Sequence, residues 1–282
     1  MRPHHLRVAA VQLNSTEDKV RNLSSADTHV RAAALQGAEL IVLPEKFNLL
    51  GTEDHLRAGA EQLDGPTLDW ARALTRELGV WLVAGSIVER VEGEPKLFNT
   101  SALIGPDGDL EAVYRKIHLF DVDVGGTSYR ESDTEASGEE VVLAQAGVVP
   151  LGLSICYDLR FPELFRILAV RGALVIALPA AFTHYTGKDH WEVLVRARAI
   201  ENQVFMIAAG QIGVHPPNHQ SFGHSMIVDP WGIPLEVAPD SESVIVADLD
   251  LEQQQHVRQS LPSLANRRPE VYRWPDAVES AR

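Results

Sequence analysis

The feature that most constrains the fold is a repeated order of segments. GAELIVLPEKF, beginning at Gly37, returns as GALVIALPAAF at Gly172, 135 residues later. VWLVAGSIV from Val80 and TSALIGPDG from Thr100 return as VFMIAAGQI from Val204 and HSMIVDPWG from His224, both 124 residues later. More faintly, the strand around Val8 matches GLSIC from Gly152 at an offset of 144. The falling offsets mean shorter early connections in the second half, with the register kept. Strands rich in Val, Ile and Ala can resemble one another by chance. A diverged duplication explains more, because one copy has lost polar residues: Glu45 aligns with Ala180, and Lys116 with Asp240.

The repeated unit alternates strand-like and helical patterns. LRVAAVQL, ELIVLP and VWLVAGSIV read as strands. Leu23, Ala26, Val30 and Ala34 recur at helical spacing and stop at Gly37. A second helix through Leu68, Ala71, Leu74 and Leu78 closes at Gly79. Pro106-Asp107-Gly108 joins two further strands as a hairpin. The pattern predicts two pseudo-symmetric β-α-β-α-β-β halves in the α/β class. Helices would cover one face of each sheet, and the other faces would pack together as a four-layer α-β-β-α sandwich. No Pro/Ser-rich linker divides the 282 residues, so one domain is expected over 1–282.

Charge narrows the partners. Lys and Arg total 25 against 39 Asp and Glu, a net charge of −14 that disfavours nucleic acid and anionic membrane surfaces. No run approaches the roughly 20 apolar residues of a membrane span. The opening MRPHHLRVAAVQLNS does not read as a secretory signal. The single cysteine, Cys156, permits no internal disulfide, and together these features predict a cytoplasmic protein.

Three reactive residues end or follow strand-like runs: Glu45, Lys116 and Cys156. In α/β sheets, ligands gather beyond the carboxyl ends of strands. Cys156 precedes YDLRFPELF, a turn entering a helix with Pro162 near its first position. Helix amides there would stabilise a thiolate. On its own, Cys156 reads equally well as a buried small hydrophobe. None of the 11 histidines is singled out as its base by spacing. His118, two residues after Lys116, would share the lysine's face on a strand but reads as core packing. His215, His219 and His224 have metal-like intervals but lie in a Pro-rich stretch with no cysteine or carboxylate nearby, so no metal is expected. A carboxylate base with an ammonium is the physical alternative. Glu45 would take the thiol proton and return it to a leaving amine, while Lys116 and the Tyr157 amide would hold an oxyanion.

LPEKF, YRKIHLFDVDV and GLSICYDLRFPE resemble the Glu-Lys-Cys motifs of the nitrilase superfamily of carbon–nitrogen hydrolases, over nearly the whole chain. The resemblance implies the four-layer sandwich and assigns the triad Glu45, Lys116 and Cys156. It also implies a second glutamate that orients the lysine. YRES places this at Glu131, inside an acidic stretch over 121–140 that otherwise reads as a solvated loop.

HWEVLVRARAIENQ, AAGQIGVH and SFGHSMIVDPWG look like the branch holding deaminated glutathione amidase and ω-amidase, which cleave amides of 2-oxo acids. FPELF, RARAIE and GHSMIVDPWG are more similar to the former, which implies a substrate such as deaminated glutathione; an ω-amidase on α-ketoglutaramate, an N-carbamoyl-amine hydrolase and a non-enzymatic scaffold on the same fold are the alternatives. The resemblance implies a small-molecule amide substrate and no cofactor. Tyr157, Arg160, Phe182 and Thr183 are the expected substrate-binding residues. Arg160 would bind a carboxylate, unless it pairs with Asp158 or Glu163. Aromatic Tyr272 and Trp274 in a Pro-broken tail, about 260–282, suggest a subunit interface and at least a homodimer.

Overall fold

Alternation along β1 (His5–Gln12) sorts its side chains into two separate cores. Leu6, Val8 and Ala10 join one buried cluster, and Ala9 and Val11 join another. The same alternation splits Leu40 and Val42 from Ile41 in β2 (Leu40–Val42), and Val83 from Leu82 in β3 (Trp81–Val83). These strands are therefore buried on both faces, which is why they read as unbroken apolar runs. The computed structural model describes residues 5–272.

β1, β2 and β3 run parallel, and the sheet continues antiparallel through β4 (Ile87–Glu89), β5 (Phe98–Ile104) and β6 (Leu110–Arg115). A hairpin of β7 (Asp121–Val124) and β8 (Thr127–Arg130) follows, then a 3-10 turn at Glu131–Asp133. The stretch expected to be a solvated loop is thus partly folded.

The second sheet repeats the plan. β9 (Leu143–Ala146) pairs with β10 (Val149–Leu153), which runs parallel to β11 (Val175–Ala180) and β12 (Phe205–Gly210). A side hairpin, β13 (Ile212–His215) and β14 (His219–Phe222), precedes β15 (Met226–Val228) and β16 (Pro234–Val237). Two parallel pairings and one antiparallel pairing link β1-β2-β3-β5, and the same sequence links β10-β11-β12-β15, the four pairs matched by the repeat. One strand breaks the symmetry. β17 (Ser243–Asp250) crosses to the first sheet and pairs antiparallel with β1 along its full length.

Helices α1 (Lys19–Leu35), α2 (Glu53–Gly59) and α3 (Pro66–Leu78) belong to the first half. Ala26 and Val30 of α1 and Leu68 and Leu74 of α3 pack with the outward residues of the first sheet. α4 (Pro162–Val170) and α5 (His184–Asn202) bury Leu164, Phe165, Trp191 and Val195 in the cluster that also fills the space between sheets. A short α6 (Leu251–Ser260) follows β17. The architecture is the four-layer α-β-β-α sandwich. No described helix is long and apolar enough to cross a membrane. In the tail, Tyr272 is exposed, and Trp274 lies outside the described residues.

VWLVAGSIV, expected as one strand, is β3 and β4 lying along the same side of β5, interrupted at Gly85. Gly85 has φ +44°, and a Cβ there would lie 2.0 Å from the carbonyl oxygen of Pro44. The interruption makes room for the 44–46 turn that carries Glu45. Gly79, with φ +68°, instead closes α3 and has open space around it. Gly79→Ala should cost about 1 kcal/mol of backbone strain. Gly85→Ala should cost upwards of about 3 kcal/mol because backbone must move as well. Urea unfolding of the two variants checks this, and equal costs would contradict it.

Candidate active site

Four side chains expected to act together converge at one end of the sandwich, each from a different connection. Glu45 lies in the buried turn after β2, Lys116 directly follows β6, Glu131 starts the 3-10 turn after β8, and Cys156 opens another at Cys156–Arg160. Glu45 Oε1 accepts hydrogen bonds from Asn99 Nδ2 at 2.7 Å and Lys116 Nζ at 3.1 Å. Its Oε2 accepts the Ala181 amide at 2.8 Å, and its backbone oxygen accepts Gln211 Nε2 at 3.0 Å. The first half thus supplies the acid and its cation, while the second half supplies donors that hold it.

Lys116 is 2% exposed. Its ammonium donates to Glu131 Oε2 at 2.7 Å as well as to Glu45. Burial opposes the charge, but Glu131 and Glu45 outweigh it and keep the lysine cationic well beyond its ordinary range. Glu131 also accepts the Phe120 amide at 2.8 Å. Against burial, Lys116 and Lys46 hold its carboxyl far below the usual carboxylate range.

Cys156 is 8% exposed, adopts φ +45° and lies beside the Glu45 carboxylate. Burial and the neighbouring Glu45 carboxylate push the thiol well above its ordinary pKa, with Lys116 only partly offsetting them. This corrects the expectation of a thiolate stabilised by helix amides. α4 begins six residues later, at Pro162, and the resting sulfur keeps its proton.

Asp158, fully buried, fixes the turn. Its Oδ2 accepts the Tyr114 hydroxyl at 2.6 Å and the Ile155 amide at 2.8 Å, and its Oδ1 lies 2.7 Å from His118 Nδ1. Tyr114 and His118 flank Lys116 by two residues on either side. One carboxylate therefore ties the cysteine turn to the lysine segment. The His118 ring stacks on Phe161 with centroids 3.6 Å apart.

Glu45, Lys116, Glu131 and Cys156 line a cleft of about 460 Å³, within the range of small-ligand sites. Arg160, Tyr157, Phe182 and Thr183 line it too. Arg160 makes no ion pair with Asp158 or Glu163 among the described residues. Its guanidinium lies 5.0 Å over the Phe182 ring, and Nη1 is 3.3 Å from His190 Nδ1. Phe182 also packs on Trp191, so it serves the core and the cleft together. The Tyr157 ring packs edge-on against Phe120 and Phe161. Thr183 occupies the N-cap position of α5, with Oγ1 2.8 Å from Thr186 Oγ1.

The three histidines with metal-like spacing part company. His215 is buried with Nδ1 on the Ser15 carbonyl, His219 leans on Tyr129, and His224 stacks on Phe222. Among the described residues, no three His, Cys, Asp or Glu side chains group as a metal site. His215 Nε2 is buried without a partner at the cleft wall. Burial holds this ring below the ordinary histidine pKa, so it is a neutral acceptor.

Sequence reasoning passed over Asn99, Asp158, Gln211, Lys46 and Glu135. Three of them carried a signal, being charges beside motif residues, and Asp158 lies inside the cysteine motif itself. Lys46 directly follows Glu45, and Glu135 sits one helical turn after Glu131.

The chain matches the carbon–nitrogen hydrolase family over residues 7–259. It is 43% identical over 263 residues to the deaminated glutathione amidase of Synechocystis sp., covering 92% of this chain and 97% of that one. It is 39% identical over 267 residues to the omega-amidase NIT2 of Danio rerio, covering 94% and 96% of the two chains. The crystal structure of Saccharomyces cerevisiae Nit3, a member of branch 10 of the nitrilase superfamily, matches with a TM-score of 0.86 at 33% identity, over 95% of this chain and 97% of that one. With the duplicated sandwich, these matches show that the chain belongs to the carbon–nitrogen hydrolase family.

Proposed function

We propose that this carbon–nitrogen hydrolase is a thiol amidase acting through a thioester on Cys156. The observation that carries the proposal is the placement of Glu45, beside the thiol and hydrogen-bonded to Lys116. Sγ attacks the amide carbonyl as its proton passes to Glu45. Lys116 Nζ and the Tyr157 amide hold the oxyanion. Glu45 then protonates the departing nitrogen, the C–N bond breaks and a thioester remains. A water that gives its proton to Glu45 attacks the thioester, releasing the acid and regenerating the thiol. Glu131 orients Lys116 throughout.

The substrate class is an amide whose acyl chain ends in a 2-oxo acid, with that carboxylate distal to the bond that breaks. Support comes from Arg160, a cleft guanidinium held over Phe182 and free of an acidic partner among the described residues, which suits a bidentate carboxylate contact. The names of the Synechocystis and Danio relatives agree with that class. Deaminated glutathione should be turned over fastest, α-ketoglutaramate more slowly, and an N-carbamoyl amine at least about 100-fold more slowly, because it lacks the distal carboxylate. Arg160→Lys should narrow the gap between the 2-oxo-acid amides and the N-carbamoyl compound. Side-by-side kcat/KM values check this, and preference for the carbamoyl compound would overturn the substrate assignment.

A homodimer goes with this reading. Ile167 and Val170 of α4, Val193 and Ile200 of α5, and Trp231 and Ile233 are all exposed. The 231–233 turn touches α5, since Gly232 packs on Ile200. We propose that a second copy covers this face. Sedimentation velocity at micromolar concentration should give a dimer, and Val193→Glu should shift it to monomer. A wild-type monomer would contradict the assignment.

A further inference from the structure

Two charged side chains stand behind the lysine–glutamate pair without touching the thiol. Lys46 directly follows Glu45 and adopts φ +50°, a conformation that a lysine does not adopt without cost. Its amide is held by Ser86 Oγ at 2.9 Å, and its side chain is nearly as buried as that of Glu45. The ammonium lies 2.5 Å from Glu135 Oε1 and 3.4 Å from Glu131 Oε1. Glu131 Oε1 therefore receives three donors: Lys116, Asn99 and Lys46.

We infer that Lys46 is a positioning residue for the hydrolytic reaction. Its ammonium, tethered by Glu135, keeps Glu131 ionised and aimed at Lys116 while Glu45 carries the proton. The inference rests on the proposed amidase mechanism and adds a requirement to it. When Glu45 accepts the thiol proton, it ceases to neutralise Lys116. Glu131 then bears that cation alone, just as an oxyanion begins to form on the opposite side. A neutral Glu131 at that moment would leave the ammonium without its anchor. A second cation beside Glu131 makes protonating it unfavourable.

The charged groups facing Lys46 are Glu131 and Glu135 from the segment after β8, Glu45 from its own turn and Lys116 from the end of β6. Glu135 absorbs the remaining imbalance. Burial raises it to about 7, with Lys46 resisting and Glu131 adding to the rise. The cluster can thus take up a proton at Glu135 without neutralising Glu131.

The alternative is that Lys46 only neutralises a buried Glu135. Three variants separate these roles. Lys46→Met should raise the pH midpoint for alkylation of Cys156 by iodoacetamide by about one unit, since loss of a nearby cation favours the protonated form of every neighbouring acid. It should also lower kcat for the amide about ten-fold or more with little change in KM. Lys46→Arg should restore most of both. Lys46→Met/Glu135→Leu replaces the ion pair with apolar groups, an exchange that buried pairs often tolerate, so it reports even where the single variant fails to fold. The double variant should keep the reduced kcat and an upward midpoint, because the lost cation is the nearer charge to Glu131. A wild-type midpoint and kcat in the double variant, or no shift in a folded Lys46→Met, would overturn the inference. The alkylation readout needs no substrate, so it stands even where wild type turns over none of the amides tried.

Discussion

Everything at the cleft depends on one buried ammonium held between two carboxylates. Lys116 cannot lie in the interior unpaired, and Glu45 and Glu131 cannot lie beside each other without it. Their mutual dependence reaches beyond the three residues. Glu45 is held by Ala181 and Gln211 from the second half, Glu131 by the Phe120 amide, and Lys116 by the strand it ends. Removing one partner of such a buried pair typically costs about 3–5 kcal/mol, so the site and the fold share one set of interactions. The duplication explains how this arrangement could arise. The second half retains the strand ends but carries Ala180 and Asp240 at the matching positions, and it contributes the Ala181 amide, the Gln211 side chain and the cysteine turn instead.

The electrostatics set the resting state of the sulfur. A carboxylate beside a buried thiol opposes its ionisation, and in the proposed mechanism the proton stays on sulfur until a substrate carbonyl is there to be attacked. The same carboxylate is then the nearest acceptor for that proton. Asp158 contributes rigidity. By accepting from Tyr114, Ile155 and His118 it locks the cysteine turn to the chain on both sides of Lys116, which fixes the sulfur-to-ammonium geometry without charge at the reacting centre.

Much of the fold was legible because doubly buried parallel strands read as apolar runs whose order repeats. The correspondence of β2 with β11 and of β3 with β12 between the two halves follows from that order. β17 escaped because its alternating residues suit any antiparallel edge, and nothing local says that it crosses to the other sheet. At the site, the turn at Cys156 was legible through Pro162, but the state of the thiol was not, since its burial and its distance from Glu45 are tertiary facts. Arg160 left two readings open until Asp158 was seen to be saturated by other donors. The identity of Glu131 among the neighbouring acids came from family resemblance. Glu135, in the same stretch, looks equally solvated on paper and is buried in the fold. Lys46 reads as a surface charge because a left-handed turn that buries a lysine leaves no mark in composition or spacing.

Replacing Glu45 by Gln tests the central claim most directly, because the account assigns that carboxylate two opposite effects on one sulfur. Without the negative charge, the pH midpoint for iodoacetamide alkylation of Cys156 should fall. Amide hydrolysis should drop by about 10²–10⁴, because the proton has lost its carrier. A variant whose thiol titrates at higher pH than wild type, or that still hydrolyses the amide at close to the wild-type rate, would contradict the account.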